Sequence, residues 1–96
     1  MISVPSEFIS PLIIIMKWHL TAYMPEVIFD GHVERILSKL RKEEFSNCNV
    51  SIDAHEIYYI RECAANATNN IDACGLDKDL IWRIHDWAFA EYKRII

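Results

Sequence analysis

The residues that could carry metal, acid–base or nucleophilic chemistry are few in this chain, and each stands alone in the sequence. They are the cysteines and histidines Cys48, Cys63, Cys74, His19, His32, His55 and His85. Metal sites in small domains usually pair two cysteines with two residues between them, or two histidines at positions i and i+4 of a helix. Neither spacing occurs here, so the sequence predicts no metal ion and no other cofactor.

Covalent catalysis is also poorly supported by the sequence. A cysteine nucleophile needs a histidine within hydrogen-bond reach and an oxyanion site, which backbone amides in a glycine-rich turn usually provide. The chain has only Gly31 and Gly75, and it contains no glycine-rich phosphate loop. His85 precedes Asp86, a pair that metal-dependent phosphohydrolases use, but no further aspartate follows it. We therefore predict that the protein is not an enzyme, and we rank a small hydrolase third among the function classes.

Aromatic side chains near the C-terminus are the more distinctive feature. Drawn as a helix at 100° per residue, this segment has one apolar stripe that can face a core. Its members are Leu80, Ile81, Ile84, Trp87, Ala88 and Ile95. A second stripe contains Trp82, Phe89 and Ile96, which recur every seven residues, with His85 and Tyr92 between the two stripes. This helix therefore carries more apolar surface than one core-facing side requires.

The second stripe has two interpretations. Either the first helix crosses over and covers it, or it binds a partner protein or a second copy of the chain as a homodimer. Exposed apolar patches mark interfaces, and tryptophan and tyrosine contribute heavily to binding. We predict that the chain acts by binding another protein, as a small inhibitor, immunity-type, antitoxin-like or adaptor protein does. The candidate partner-binding residues are Trp82, Phe89, Tyr92 and Ile96, with Tyr58 and Tyr59 as flanking anchors.

A nucleic-acid-binding regulator with a helix-turn-helix-like arrangement is the second function class. Gly75 would occupy the turn, and the recognition helix would begin near Asp77. That helix also carries Asp79 and Asp86, and carboxylates repel the phosphate backbone. The one basic stretch, around residues 35–42, has glutamates on both sides. We therefore expect nucleic acid to be a poor partner.

The composition indicates one small helical domain over residues 1–96. The chain is 96 residues long, 52% hydrophobic and has a net charge of −4, which suits one core and excludes a disordered chain. Its longest apolar run, residues 12–16, is too short to cross a membrane. We predict an all-α fold: a small four-helix bundle, or three helices plus an irregular or strand-like N-terminal segment.

The first helix is predicted over about residues 11–23. Ser10 and Pro11 have the form of an N-cap followed by a proline at the first helical position, and Pro25 should end the helix. Residues 12–16 are rich in β-branched side chains, so a buried strand remains an alternative for that run.

The second and third helices have polar start signals. Asp30 is predicted to cap a helix over about residues 31–45, which is followed by a loop at residues 46–49. Asp53 and Glu56 are spaced as in a capping box, which predicts the start of the third helix. Its core-facing seam is Ile57, Ile60, Ala64, Ala67 and Ile71.

The third helix should end at Gly75, and the fourth should begin at Asp77 and continue to Arg94 or beyond. Glu91 falls within the core-facing stripe of this last helix. A buried carboxylate needs a cation or a donor, so we expect it to pair with a lysine or arginine of another helix.

The N-terminus and the cysteines bear on the compartment. Residues 1–10 contain no lysine or arginine, unlike the start of a secretory signal. The odd number of cysteines cannot be fully paired within one chain. We predict a cytoplasmic protein with reduced thiols and no membrane segment.

Overall fold

Helices dominate the protein, and a small antiparallel sheet joins them. The computed structural model describes residues 2–22, 27–43 and 50–95. In chain order the elements are β1 (Ile2–Val4), α1 (Ser6–Ala22), α2 (Val27–Glu43), β2 (Val50–Ile52), α3 (Ala54–Thr68), α4 (Ile71–Cys74) and α5 (Lys78–Ile95). The predicted all-α class with a strand-like N-terminal segment is confirmed. The radius of gyration is 12.2 Å.

Helix α1 begins five residues before the predicted start, so the assignment of Ser10 and Pro11 as cap and first turn is wrong. The amide of Phe8 donates to the carbonyl of Pro5 over 2.9 Å and opens the helix there. Pro11 lies inside the helix, which costs about 3 kcal/mol because one backbone hydrogen bond is lost. Phe8 and Ile9 are buried in the turn before it, and each contributes roughly 1.5–3 kcal/mol. The free energy gained by burying Phe8 and Ile9 therefore offsets the cost of Pro11 inside the helix.

The apolar run at residues 12–16 is helical, so the strand alternative for it is wrong. Leu12, Ile15 and Met16 are fully buried, whereas Ile14 is exposed. That pattern follows the helical period rather than the alternation of a strand. The strand-like segment of the N-terminus is β1 instead.

The two strands, β1 and β2, pair antiparallel although about half of the chain length separates them in sequence. Their partners are Ile2 with Ile52, Ser3 with Ser51, and Val4 with Val50. Since side chains alternate along a strand, the four aliphatic residues face the core and the two serines face solvent. The sheet therefore joins the segment before α1 to the segment between α2 and α3.

Helix α2 begins at Val27, so the prediction that Asp30 caps it is wrong. No glycine or proline stands between Val27 and Asp30, and the helix simply extends through them. Val33, Ile36, Leu37 and Leu40 fall at helical spacing on one face of α2, and all four are buried. The predicted loop at residues 46–49 lies outside the described residues.

Helix α3 starts with the predicted capping box. The Asp53 Oδ1 atom accepts from the amide of Glu56 over 2.8 Å, and the Asp53 amide donates to Glu56 Oε1 over 2.9 Å. The helix ends at Thr68 rather than at residue 74, and a single turn, α4, follows. Gly75 then adopts the left-handed conformation, with φ of 68°, as predicted for a helix-terminating glycine.

Helix α5 packs chiefly on α3. Its fully buried residues are Ile81, Ile84 and Ala88, with Leu80 and Trp87 half-buried against the core. Ile95 is exposed, so its predicted place in the core is wrong. It lies in the last turn of α5, beside the beginning of α3, where the helix pair ends. Across the described residues, no helix has the length and apolar character to span a bilayer.

Candidate functional site

The antiparallel helices α3 and α5 bring a group of aromatic side chains together on one side of the molecule. The Tyr58 and Tyr92 ring centroids are 5.9 Å apart across the helix pair. Along α5, the Trp82 and His85 rings are 5.0 Å apart, and the His85 and Phe89 rings are 4.2 Å apart. These pairs are three and four residues apart, the spacing of neighbours on a helix surface.

Arg61 of α3 lies at the centre of this group. Its guanidinium carbon is 4.8 Å from the Phe89 ring centroid, 4.6 Å from that of Tyr92 and 5.6 Å from that of Tyr58. Each such cation–π contact contributes about 0.5–2 kcal/mol, depending on how far it is removed from water. The Arg61 Nη2 atom also donates to Glu62 Oε1 over 2.8 Å. We call the surface formed by Tyr58, Arg61, Trp82, His85, Phe89 and Tyr92 the aromatic face.

The aromatic face contains several of the most exposed large apolar side chains in the described part of the chain. Trp82 is 40% exposed, and Tyr58 and Phe89 are exposed to a similar degree. Single exposed apolar residues are ordinary, but several in contact form a patch. Helix α1 does not cover them: it meets α5 through the Phe8 and Trp87 rings, whose centroids are 5.7 Å apart. The interpretation in which α1 covers this stripe is therefore wrong.

The structure assembles four of the six candidate partner-binding residues. Trp82, Phe89, Tyr92 and Tyr58 lie on the aromatic face. Tyr59 borders this face through an edge-on contact with Tyr58, with ring centroids 5.2 Å apart. It is half-buried and stacks on His32 of α2, with ring centroids 4.5 Å apart and an interplanar angle of 12°. The sixth candidate, Ile96, lies outside the described residues.

Arg61 was not among the predicted residues, although the sequence carries a signal for it. It follows Tyr58 by three positions, so a helix places the two on the same side. Its Nε atom is buried and has no hydrogen-bond partner among the described residues. The rings around it take the place of water, and the guanidinium holds the two helices' aromatic side chains in one arrangement.

The acid–base groups near the aromatic face are paired locally. The His85 Nδ1 and Asp86 Oδ1 atoms are 3.0 Å apart. Glu91 accepts from the Nε atom of Arg94 over 3.1 Å, within the same helix. The expectation that Glu91 pairs with another helix is wrong, because a cation three residues away already lies beside it.

A second concave surface, which we call the α2–α3 cleft, lies on another side of α3. It has a volume of about 410 Å³, in the range of small-molecule sites. The residues that line it are His32, Arg35, Ile36, Lys39, Asp53, His55, Glu56 and Tyr59. Within the part of the chain that the structure describes, no three histidine, cysteine or acidic side chains converge as metal ligands would.

Lys39 and Glu56 form a closed polar group at one end of this cleft. The Lys39 Nζ atom is 2.9 Å from Oε1 and 2.8 Å from Oε2 of Glu56. It also donates to the carbonyl of Ser51 over 3.1 Å, so its donors are matched by three oxygens. Lys39 thereby links α2 to β2 and to the start of α3.

The cysteines and the basic residues of α2 are dispersed. Cys63 and Cys74 are buried and form no disulfide with another described residue, and neither lines the cleft. Burial raises the pKa of the Cys74 thiol, which keeps it protonated and unreactive. Arg35 lines the α2–α3 cleft, whereas Arg41 lines a separate concavity beside α1.

Comparison of the chain with protein-family models, with curated proteins and with solved structures finds no match. No relative therefore supplies a function, a substrate or a set of site residues for this chain. The aromatic face and the α2–α3 cleft are the two surfaces from which a function can be inferred.

Proposed function

We propose that this is a small protein that acts by binding another protein through the aromatic face. The exposure of Trp82 and Phe89 beside the ring-bound Arg61 is the observation that carries the proposal. Tryptophan, tyrosine and arginine are the residues most enriched among binding hot spots. Burial of one such aromatic side chain contributes roughly 1.5–3 kcal/mol, so two or three of them can sustain a specific complex.

The way Arg61 is held supports a preformed binding surface. Ordering a long side chain on binding costs about 0.5–1.5 kcal/mol. Arg61 already contacts Tyr58, Phe89 and Tyr92 in the isolated chain, so little of that cost remains when a partner arrives. A small preformed surface of this kind suits an inhibitor, immunity-type, antitoxin-like or adaptor protein.

A cytoplasmic setting is part of the proposal. Neither Cys63 nor Cys74 forms a disulfide among the described residues, which suits a reducing compartment. The partner is a different protein or a second copy of this chain, and the same aromatic face would serve either complex.

The test is affinity capture from the source cell with matched variants. Trp82→Ala removes an exposed aromatic side chain, and Ile14→Ala is the control because Ile14 is 42% exposed on α1, away from the aromatic face. We expect Trp82→Ala to weaken partner binding at least about 30-fold, the equivalent of 2 kcal/mol for a hot-spot truncation. Ile14→Ala should bind as the wild type does.

Light scattering after size-exclusion chromatography tests the self-association form of the proposal. A dimer that becomes monomeric with Phe89→Ala, but not with Ile14→Ala, would identify the partner as a second copy. A strict monomer whose captured proteins are the same for wild type and Trp82→Ala would refute the proposal. The Trp82→Ala, Phe89→Ala and Ile14→Ala variants should each melt within a few degrees of the wild type, because exposed positions contribute little to stability.

A further inference from the structure

We propose that the α2–α3 cleft binds a small organic oxyanion, a molecule that carries a phosphate- or sulfate-like group, with Arg35, His32 and His55 as its recognition groups. This site is separate from the aromatic face and does not depend on the function proposed above. Its volume of about 410 Å³ exceeds what a bare oxyanion fills, and this size is typical of sites for small organic molecules.

The walls of the cleft combine an apolar surface with hydrogen-bond donors. Ile36 and the ring of Tyr59 provide the apolar part. His32 is stacked on Tyr59 at 4.5 Å and nearly parallel, which fixes the plane of the imidazole. Arg35 and His55 are exposed side chains that line the same space, one from α2 and one from the first turn of α3.

The charged residues that line the cleft, Arg35, Lys39, Asp53 and Glu56, balance formally, but their local pairing leaves one cation without an ion-pair partner among the described residues. Lys39 and Glu56 neutralise each other, and the three oxygens around Lys39 leave it no donor for a ligand. Asp53 is held as the N-cap of α3, where the helix dipole offsets its charge. Arg35 makes no ion pair with another described residue, so its guanidinium is the cation that remains.

An oxyanion fits this set of groups better than a metal ion does. The acidic lining residues Asp53 and Glu56 are already engaged in the capping box, and no metal-ligating cluster forms among the described residues. Arginine recognises tetrahedral oxyanions through its planar array of N–H donors. The imidazole rings of His32 and His55 can each add an N–H donor.

The test uses NMR of the histidine side chains in the full chain. Sulfate is added at constant ionic strength, and phenyl phosphate and inorganic phosphate are added in separate titrations. We expect the ring resonances of His32 and His55 to move, while those of His19 and His85, which lie elsewhere, stay in place. Phenyl phosphate should bind more tightly than inorganic phosphate because its ring can cover Tyr59 and Ile36.

A matched pair of substitutions tests the role of the guanidinium. Arg35→Gln should weaken sulfate binding at least about tenfold, as expected for one charge-assisted contact. Arg41→Gln makes the same change in charge on the same helix, but Arg41 lines the other concavity. It should leave binding unchanged.

Three results would overturn the proposal. One is the absence of resonance changes up to about 20 mM of each probe, well above the range of a specific small-molecule site. Another is an equal change in the ring resonances of all four histidines, which would show a general salt effect. The third is an equal loss of affinity in Arg35→Gln and Arg41→Gln, which would show attraction to the overall charge of α2.

Discussion

At the scale of single residues, polar side chains link different helices and strands by hydrogen bonds and ion pairs. Glu56 is the clearest case: it is buried, accepts the Asp53 amide and pairs with Lys39. The sequence spacing predicted its bond to the backbone, because a capping box is local. It did not predict Lys39 as its partner, because that contact joins two helices whose relative placement is set by the whole core.

Removal of Lys39 should be costly for this reason. Lys39→Met leaves the Glu56 carboxylate buried without its cation, and breaking a buried pair costs about 3–5 kcal/mol. Lys39 is 38% exposed, so water compensates in part and we expect roughly 2–3 kcal/mol. Urea unfolding at neutral pH measures the loss.

Lys42→Met is the control for that substitution. Lys42 is exposed on the same helix and pairs with no described residue. Its replacement should change the free energy of unfolding by no more than about 0.5 kcal/mol. If the two variants lost equal stability, the Lys39–Glu56 pair would contribute nothing to the fold.

Cys74 should make stability depend on alkaline pH. Burial raises the pKa of its thiol above the ordinary value of 9.0, so the folded protein holds this proton more tightly than the unfolded chain. The stabilisation is fully present below the pKa of the unfolded thiol, and it is lost as pH rises through the higher pKa of the folded state. The stability difference between wild type and Cys74→Ala should therefore shift against the wild type between pH 8 and pH 10. A difference that stays constant across this range would contradict the assignment.

At the scale of elements, the boundaries that local side chains determine were predictable, and those that tertiary burial determines were not. The Asp53 cap and the left-handed Gly75 follow from local chemistry. The early start of α1 depends on burial of Phe8 and Ile9, and no local pattern shows which neighbours cover them. The sheet joins three-residue strands almost fifty positions apart, which is too short a pattern to stand out from loops.

The two glycines should respond in opposite directions to the same substitution. Gly31 lies inside α2 with open space around the position of an added Cβ, so Gly31→Ala should stabilise the protein by about 0.5–1 kcal/mol. Gly75 has the same open space but a φ of 68°, so Gly75→Ala should destabilise it by about 1 kcal/mol. Thermal unfolding of the Gly31→Ala and Gly75→Ala variants measures whether their stabilities change in opposite directions. Effects of the same sign would mean that backbone conformation does not control these sites.

At the scale of the whole molecule, the packing of α5 on α3 creates the aromatic face. The sequence identified an excess of apolar surface on α5 but could not tell whether α1 covered it. That distinction depends on how helices are arranged in space, and the structure places α1 against Trp87 rather than Trp82. Tyr59 lies one step around α3 from Tyr58, which directs its ring toward α2 and His32.

Small residues allow the close approach of these helices. Ala64 and Ala67 of α3 and Ala88 of α5 are fully buried. A larger side chain at any of them would have to displace the neighbouring helix, since cores are close-packed. The distance between the Tyr58 and Tyr92 rings should therefore depend on the size of these buried residues. The position of the Arg61 guanidinium between those rings should depend on it as well.

Ala88→Leu tests this dependence, with Ala90→Leu as its control. Both substitutions add the same atoms to α5, but Ala88 is buried and Ala90 is exposed. We expect Ala88→Leu to lower the free energy of unfolding by about 1–3 kcal/mol through overpacking, and Ala90→Leu to change it by less than about 0.5 kcal/mol. Proton NMR should show weaker contacts between the Tyr58 and Tyr92 rings in Ala88→Leu alone. If Ala88→Leu kept both its stability and those ring contacts, close packing of α3 and α5 would not be what positions the aromatic face.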